Sequence, residues 1–127
     1  MEDMFLYEYA VVRYVPAVER EEFINIGLIM MCKRRKWIRI AIHIDENKLS
    51  AYRCPHTTDE IRAQLDGFIM VCEGSNDGGS LAQLPVEERF RWITAVRSTC
   101  LATSRPHPGK THDLDKEFDH IFESLVL

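Results

Sequence analysis

Cysteine is scarce in this 127-residue chain, and its four copies are scattered. Cys32, Cys54, Cys72 and Cys100 include no Cys-x-x-Cys pair. The spacing excludes a disulfide framework or zinc ribbon and reads as reduced thiols in a cytoplasmic protein. Long apolar runs are also missing. The longest, Ile26 to Cys32, contains a glycine and falls far below the ~20 residues that span a bilayer. The chain opens Met1-Glu2-Asp3, acidic where a secretory leader is basic, which again points to the cytoplasm. Six glycines and five prolines exclude collagen-like and low-complexity character. The one glycine-rich stretch, Gly74 to Ser80, lacks the lysine of a phosphate loop and is too short to divide domains. A Rossmann fingerprint, a nucleophile elbow and a His-Glu-x-x-His motif are absent as well.

Surplus charge is small, at −4, and unevenly placed. Residues 1–63 carry ten basic and ten acidic groups, and residues 64–127 carry six and ten. The one basic cluster is Lys33, Arg34, Arg35, Lys36 and Arg39. It lies between two apolar runs, as a solvated hairpin turn would, whereas a nucleic-acid-binding domain normally presents a broader basic face.

What is present is alternation. Leu6 to Val15 reads as an interior strand, apolar on both faces except at Arg13 and ended by Pro16. Phe23 to Cys32 reads as a second strand, with Ile24, Ile26, Leu28 and Met30 on one face and Phe23, Asn25, Gly27 and Ile29 on the other. Trp37 to Ile44 places Ile38, Ile40, Ile42 and Ile44 in a buried stripe and His43 on the wetter face. Asp45 caps a short helix through Tyr52, and Thr57-x-x-Glu60 opens a longer one carrying Ile61, Leu65, Phe68, Ile69 and Cys72. Pro85 starts a helix through about Ile93 with Val86, Phe90 and Ile93 inward. Ser98 to Ser104 reads as a strand ended by Arg105-Pro106 and Pro108-Gly109, before a helix from Asp113 with Leu114, Phe118, Ile121, Phe122 and Leu125 in one stripe. The sum, over residues 1–127, is a single α+β domain: a mainly antiparallel sheet of about four strands packed by three or four helices over the isoleucine-lined face.

Candidate chemistry is sparse. Cys54-Pro-His56 and His107 with His112-Asp113 offer metal-ligand types, but zinc takes tighter local pairs, and surface histidines account for them better. No metal or cofactor is expected. Ser98, Ser104, Cys100 and His107 lie close in sequence without forming a recognisable nucleophilic motif. Arg13 is the awkward residue, because a guanidinium in an apolar strand must be paired or exposed. One reading pairs it with Glu8 or Glu22. The sharper reading has Arg13 and Asn25 line a polar pocket with room left by Gly27, and Arg91, Arg97 and Arg105 adding charge for a carboxylate or phosphate.

Two blocks then resemble a known family. Tyr7-Glu-Tyr-Ala-Val-Val-Arg13-Tyr14-Val-Pro16 with Arg20-Glu-Glu22-Phe-Ile-Asn25-Ile-Gly27 forms the first. Glu88-Arg89-Phe90-Arg91-Trp92-Ile-Thr94-Ala-Val-Arg97-Ser98-Thr99, running on through Thr103-Ser104, His107-Pro-Gly109 and Asp113, forms the second. They resemble the DUF3037 proteins, a bacterial family of unknown function. Glu21 stands where the family pattern has glycine, and Val96 where it tends to have proline.

The resemblance implies small accessory proteins, some encoded beside a protein of the HipA-like kinase fold. Its motif residues coincide with the awkward ones: Arg13, Asn25, Gly27, Arg91, Arg97, Ser98 and His107. The expected function is a cytoplasmic accessory or binding module engaging a protein partner, with a HipA-like kinase as the candidate, through a polar arginine-containing site. The alternatives are a protein or enzyme acting on a small anionic ligand through Arg13, Arg91, Arg97, Ser98 and His107, and nucleic-acid binding through residues 33–39.

Overall fold

The β-rich run after Met4 forms β1 (Phe5–Tyr14), the strand around which the sheet is built. The computed structural model describes residues 4–52, 54–95 and 100–127. β2 (Ile24–Cys32) and β3 (Trp37–Ile42) follow as a meander, joined by the basic turn at 33–36. Lys36 closes that turn in a left-handed conformation, its N–H bonded to the Lys33 carbonyl. β4 (Leu101–Thr103) and β5 (His107–Thr111) both pair with the other side of β1, so all five described strands are antiparallel.

Four helices complete the described chain. α1 (Glu46–Ala51) begins at Asp45, whose carboxylate accepts the Asn47 and Lys48 N–H groups. α2 (Thr58–Glu73) begins at the Thr57–Glu60 capping box and ends at Gly74, which adopts the left-handed conformation of a helix C-cap. α3 (Val86–Ile93) follows Pro85, and α4 (Leu114–Leu125) follows the Asp113 cap.

Two register slips shape the sheet. β1 pairs with β2 from Glu8–Met31 to Val12–Gly27, then resumes at Arg13–Asn25, leaving Ile26 as a bulge. The alternation expected for β2 is corrected accordingly. Ile24 and Ile26 join Ile29 and Met31 on the face packed by α2 and α3, whereas Leu28, Met30 and Cys32 turn to α4. A one-residue slip inverts every later side chain, and nothing in β2's own sequence marks it.

The second slip lies opposite Tyr9 to Val12. β4 pairs at Val12–Thr103 and β5 at Tyr9–His107, so three steps along β1 match four along the edge. Ser104 bridges the irregularity: its N–H donates to the Val11 carbonyl and its hydroxyl oxygen accepts the Val11 N–H. Pro108 and Gly109 therefore continue the sheet instead of ending it. An edge strand tolerates proline because an outward N–H has no ladder partner to lose.

Helices occupy both faces, where the sequence pattern placed them over one. On the isoleucine face α2 and α3 cover Ala10, Val12, Tyr14 and the β3 isoleucines. On the other, α4 packs Leu114, Phe118 and Ile121 against Tyr7, Leu28, Met30 and Cys32. Arg39 secures this layer, since its guanidinium lies 4.2 Å from the Phe118 ring and bonds Asp115 and Asp119.

Glu21 has φ 56°, the left-handed region, at the position where the resembling family carries glycine. An L side chain there costs about 1–2 kcal/mol, which glycine relieves while adding some unfolded-chain entropy. Glu21 is solvent-exposed. Glu21→Gly is expected to raise stability by about 0.5–1 kcal/mol, read as a higher urea midpoint at unchanged slope.

Candidate functional site

β1 alternation sends Arg13 to the α4 side of the sheet, between Asn25 on β2 and Ala102 on β4. Its guanidinium carbon lies 3.9 Å from the centre of the Phe23 ring. Neither carboxylate that could have neutralised it does so. Glu22 bonds Arg20 at 2.8 Å, and Glu8, an even-numbered residue of β1, leaves from the opposite face. Among the described residues Arg13 makes no ion pair, and its Nε is buried without a hydrogen-bond partner. Burial pushes its pKa below the usual arginine value. The structural-pair reading of Arg13 is corrected by this geometry: the cation leans on an aromatic face, which supplies attraction but no counter-charge.

Asn25 donates through Nδ2 to the Leu125 carbonyl at the end of α4, and its buried Oδ1 has no donor. Beside it lies a cleft of about 290 Å³ lined by Phe23, Ile24, Asn25, Lys48, Tyr52 and Leu125. Phe23, Tyr52 and Leu125 are 43%, 41% and 39% exposed, three of the six exposed large apolar side chains among the described residues. The lining carries the ammonium of Lys48 and no carboxylate. The ends of α1 and α4 thus meet around the start of β2 to make a notch of mixed apolar and polar lining that carries one cation, Lys48.

Gly27 stands apart from that notch. Its absent side chain would meet Ile42 Cδ1 at 2.5 Å and the Ala41 carbonyl oxygen at 2.7 Å, so the room it leaves is filled by β3. His107 lies on β5 opposite Tyr9, with ring centroids 5.1 Å apart and stacked. It shares the face of Arg13, displaced by four residues of β1, about 13 Å. Arg91 is exposed on α3, with the sheet between it and Arg13. Arg97 and Ser98 lie outside the described residues. In the basic turn, Arg39 is bound to α4 and Arg35 lies 5.0 Å from the Phe5 ring, while Lys33 and Lys36 are exposed.

The remaining sequence candidates have structural partners. Ser104 bridges β1 to the edge strand, and Cys100 donates to Gln64 Oε1 at 2.8 Å. His56 Nδ1 lies 2.7 Å from the hydroxyl of Tyr14, a fully buried side chain. Burial pushes the Tyr14 pKa up to about 12. Tyr7, buried and bonded to Glu117, is likewise pushed up to about 12. Raised values favour the folded state below pH 10, and that contribution fades as pH climbs towards 12. No trio of His, Cys, Asp or Glu is placed to share a metal among the described residues.

Sequence reasoning missed the notch walls. Phe23 had a signal, an aromatic two residues before Asn25 on the same face. Lys48, Tyr52 and Leu125 had none, since only the tertiary fold brings them together. Arg89 was also missed as a cap: it stands three residues after inward Val86 and donates to the Cys72 carbonyl at 2.8 Å, closing the end of α2.

Fold and site together define a small antiparallel α+β domain, helices on both faces, with an exposed notch walled by Phe23, Tyr52 and Leu125 and flanked by an arginine without an ion-pair partner among the described residues. The sequence profile of a family described as protein of unknown function, DUF3037, matches residues 9–126. The chain belongs to that family. Comparison with curated proteins and with solved structures gave no match. Among the described residues no helix is long and apolar enough to cross a membrane.

Proposed function

We propose that this protein is a non-catalytic cytoplasmic accessory module that docks a protein partner at the Arg13–Phe23–Asn25 surface. The HipA-like kinase associated with the family is the named candidate. The observation that carries the reading is Arg13, a cation held against an exposed aromatic ring with no counter-ion among the described residues. A guanidinium kept in that state gives its best interaction to a carboxylate brought by a partner, and Arg and aromatic side chains are the commonest anchors of protein interfaces. The lack of a complete catalytic motif favours binding over chemistry.

The test is purification of the tagged protein from its host, alongside Arg13→Gln and Phe23→Ser. A kinase of the HipA-like fold, identified by mass spectrometry, is expected with the wild type and at least tenfold depleted with either variant. Repeated recovery of the wild-type protein alone would count against the proposal.

A further inference from the structure

Resting on that docking reading, we infer that the notch takes a short acidic segment of the partner, in which one large apolar side chain is flanked by Asp or Glu. Three features carry the assignment. The walls formed by Phe23, Ile24, Tyr52 and Leu125 are apolar, with three of these side chains more than a third exposed. A cleft of about 290 Å³ accommodates one large side chain. Two cations serve the notch: Lys48 lines it and Arg13 is stacked on its Phe23 wall, while Glu22, which lines the neighbouring cleft with Tyr52, is paired with Arg20.

Asn25 ties the start of β2 to the end of α4, its Nδ2 donating to the Leu125 carbonyl. The carboxylates on either side of the seated apolar residue then meet Arg13 and Lys48. A second copy of this chain and a free small carboxylate are the competing occupants, and the experiment separates them.

The probe is a fluorescein-labelled peptide, Ser-Asp-Glu-Phe-Glu-Asp-Ser, titrated with the intact protein and read by fluorescence anisotropy. Its Asn/Gln counterpart and its Phe→Ser counterpart serve as controls. Both controls are expected to bind at least tenfold more weakly. Arg13→Gln and Phe23→Ser should each weaken the acidic peptide at least tenfold, and Arg91→Gln, on the far layer, should leave it within twofold.

Equal binding of the acidic and neutral peptides would overturn the inference, as would an Arg91→Gln effect matching that of Arg13→Gln, which would mean diffuse attraction. Displacement of the peptide by equimolar phenylacetate would assign the notch to a small carboxylate. A dimer in sedimentation that Phe23→Ser dissociates would assign it to a second copy. If no peptide binds while a kinase still co-purifies with wild type and not with Phe23→Ser, the segment chemistry falls and the docking reading stands.

Discussion

Phe118→Ala is expected to lower stability by about 4 kcal/mol, the middle of the range for deleting a buried aromatic side chain. In a domain of this size that is a fall in melting temperature on the order of 15 °C. Phe118 is 1% exposed and central to the thinner of the two cores. Its ring meets Trp37 edge-on, stacks on Phe122 and receives the Arg39 guanidinium. Its removal leaves a cavity and takes away the surface that orients Arg39 towards Asp115 and Asp119. Because α4 also supplies Leu125 to the notch, loss of docking should accompany the loss of stability. Calorimetry checks the first and the peptide titration the second. A shift under about 5 °C would mean that α4 contributes far less than its packing indicates.

Gly27→Ala is expected to cost about 3 kcal/mol, at the upper end of overpacking penalties. The new methyl would lie 2.5 Å from Ile42 Cδ1, which can rotate, and 2.7 Å from the Ala41 carbonyl oxygen, which belongs to the backbone of β3 and cannot. The β2–β3 ladder has to part to admit it. The same substitution at Gly67 has the opposite sign. Gly67 lies exposed within α2, where an added methyl would meet nothing within 4 Å, and alanine there should add about 0.5–1 kcal/mol through helix propensity. Urea denaturation of the pair checks both. Equal effects would show that chain entropy, not space, governs the two sites.

The parts of the fold legible in the sequence are those decided locally. The three-strand meander, the Asp45 and Asp113 caps and the Thr57–Glu60 box are written in residues a few positions apart, and each is found where the pattern places it. Hidden features were decided between distant segments. Ile26 is a bulge because β1 pairs on both sides of it, and Pro108 lies within a strand because that strand is at an edge. The candidate site divides the same way. Arg13 stands out as a charge in an apolar strand, but its solitude depends on Glu22 turning to Arg20. Tyr52 and Leu125 give no hint that they share a wall. Gly27 signals close approach, and only the structure shows that β3 is what approaches.

The pairing of β1 with β2 on one side and with β4 and β5 on the other has a consequence for synthesis. β2 emerges from the ribosome soon after β1, whereas Phe5 meets Thr111 across about a hundred intervening residues. Until residues 101–111 appear, β1 presents an open edge to solvent, with the exposed Leu6 beside it. Closing so long a loop is the slow step of such a topology. The nascent chain is therefore most prone to aggregation just before β4 and β5 arrive, and a stop shortly after α3 would release a half-paired sheet instead of a smaller stable domain.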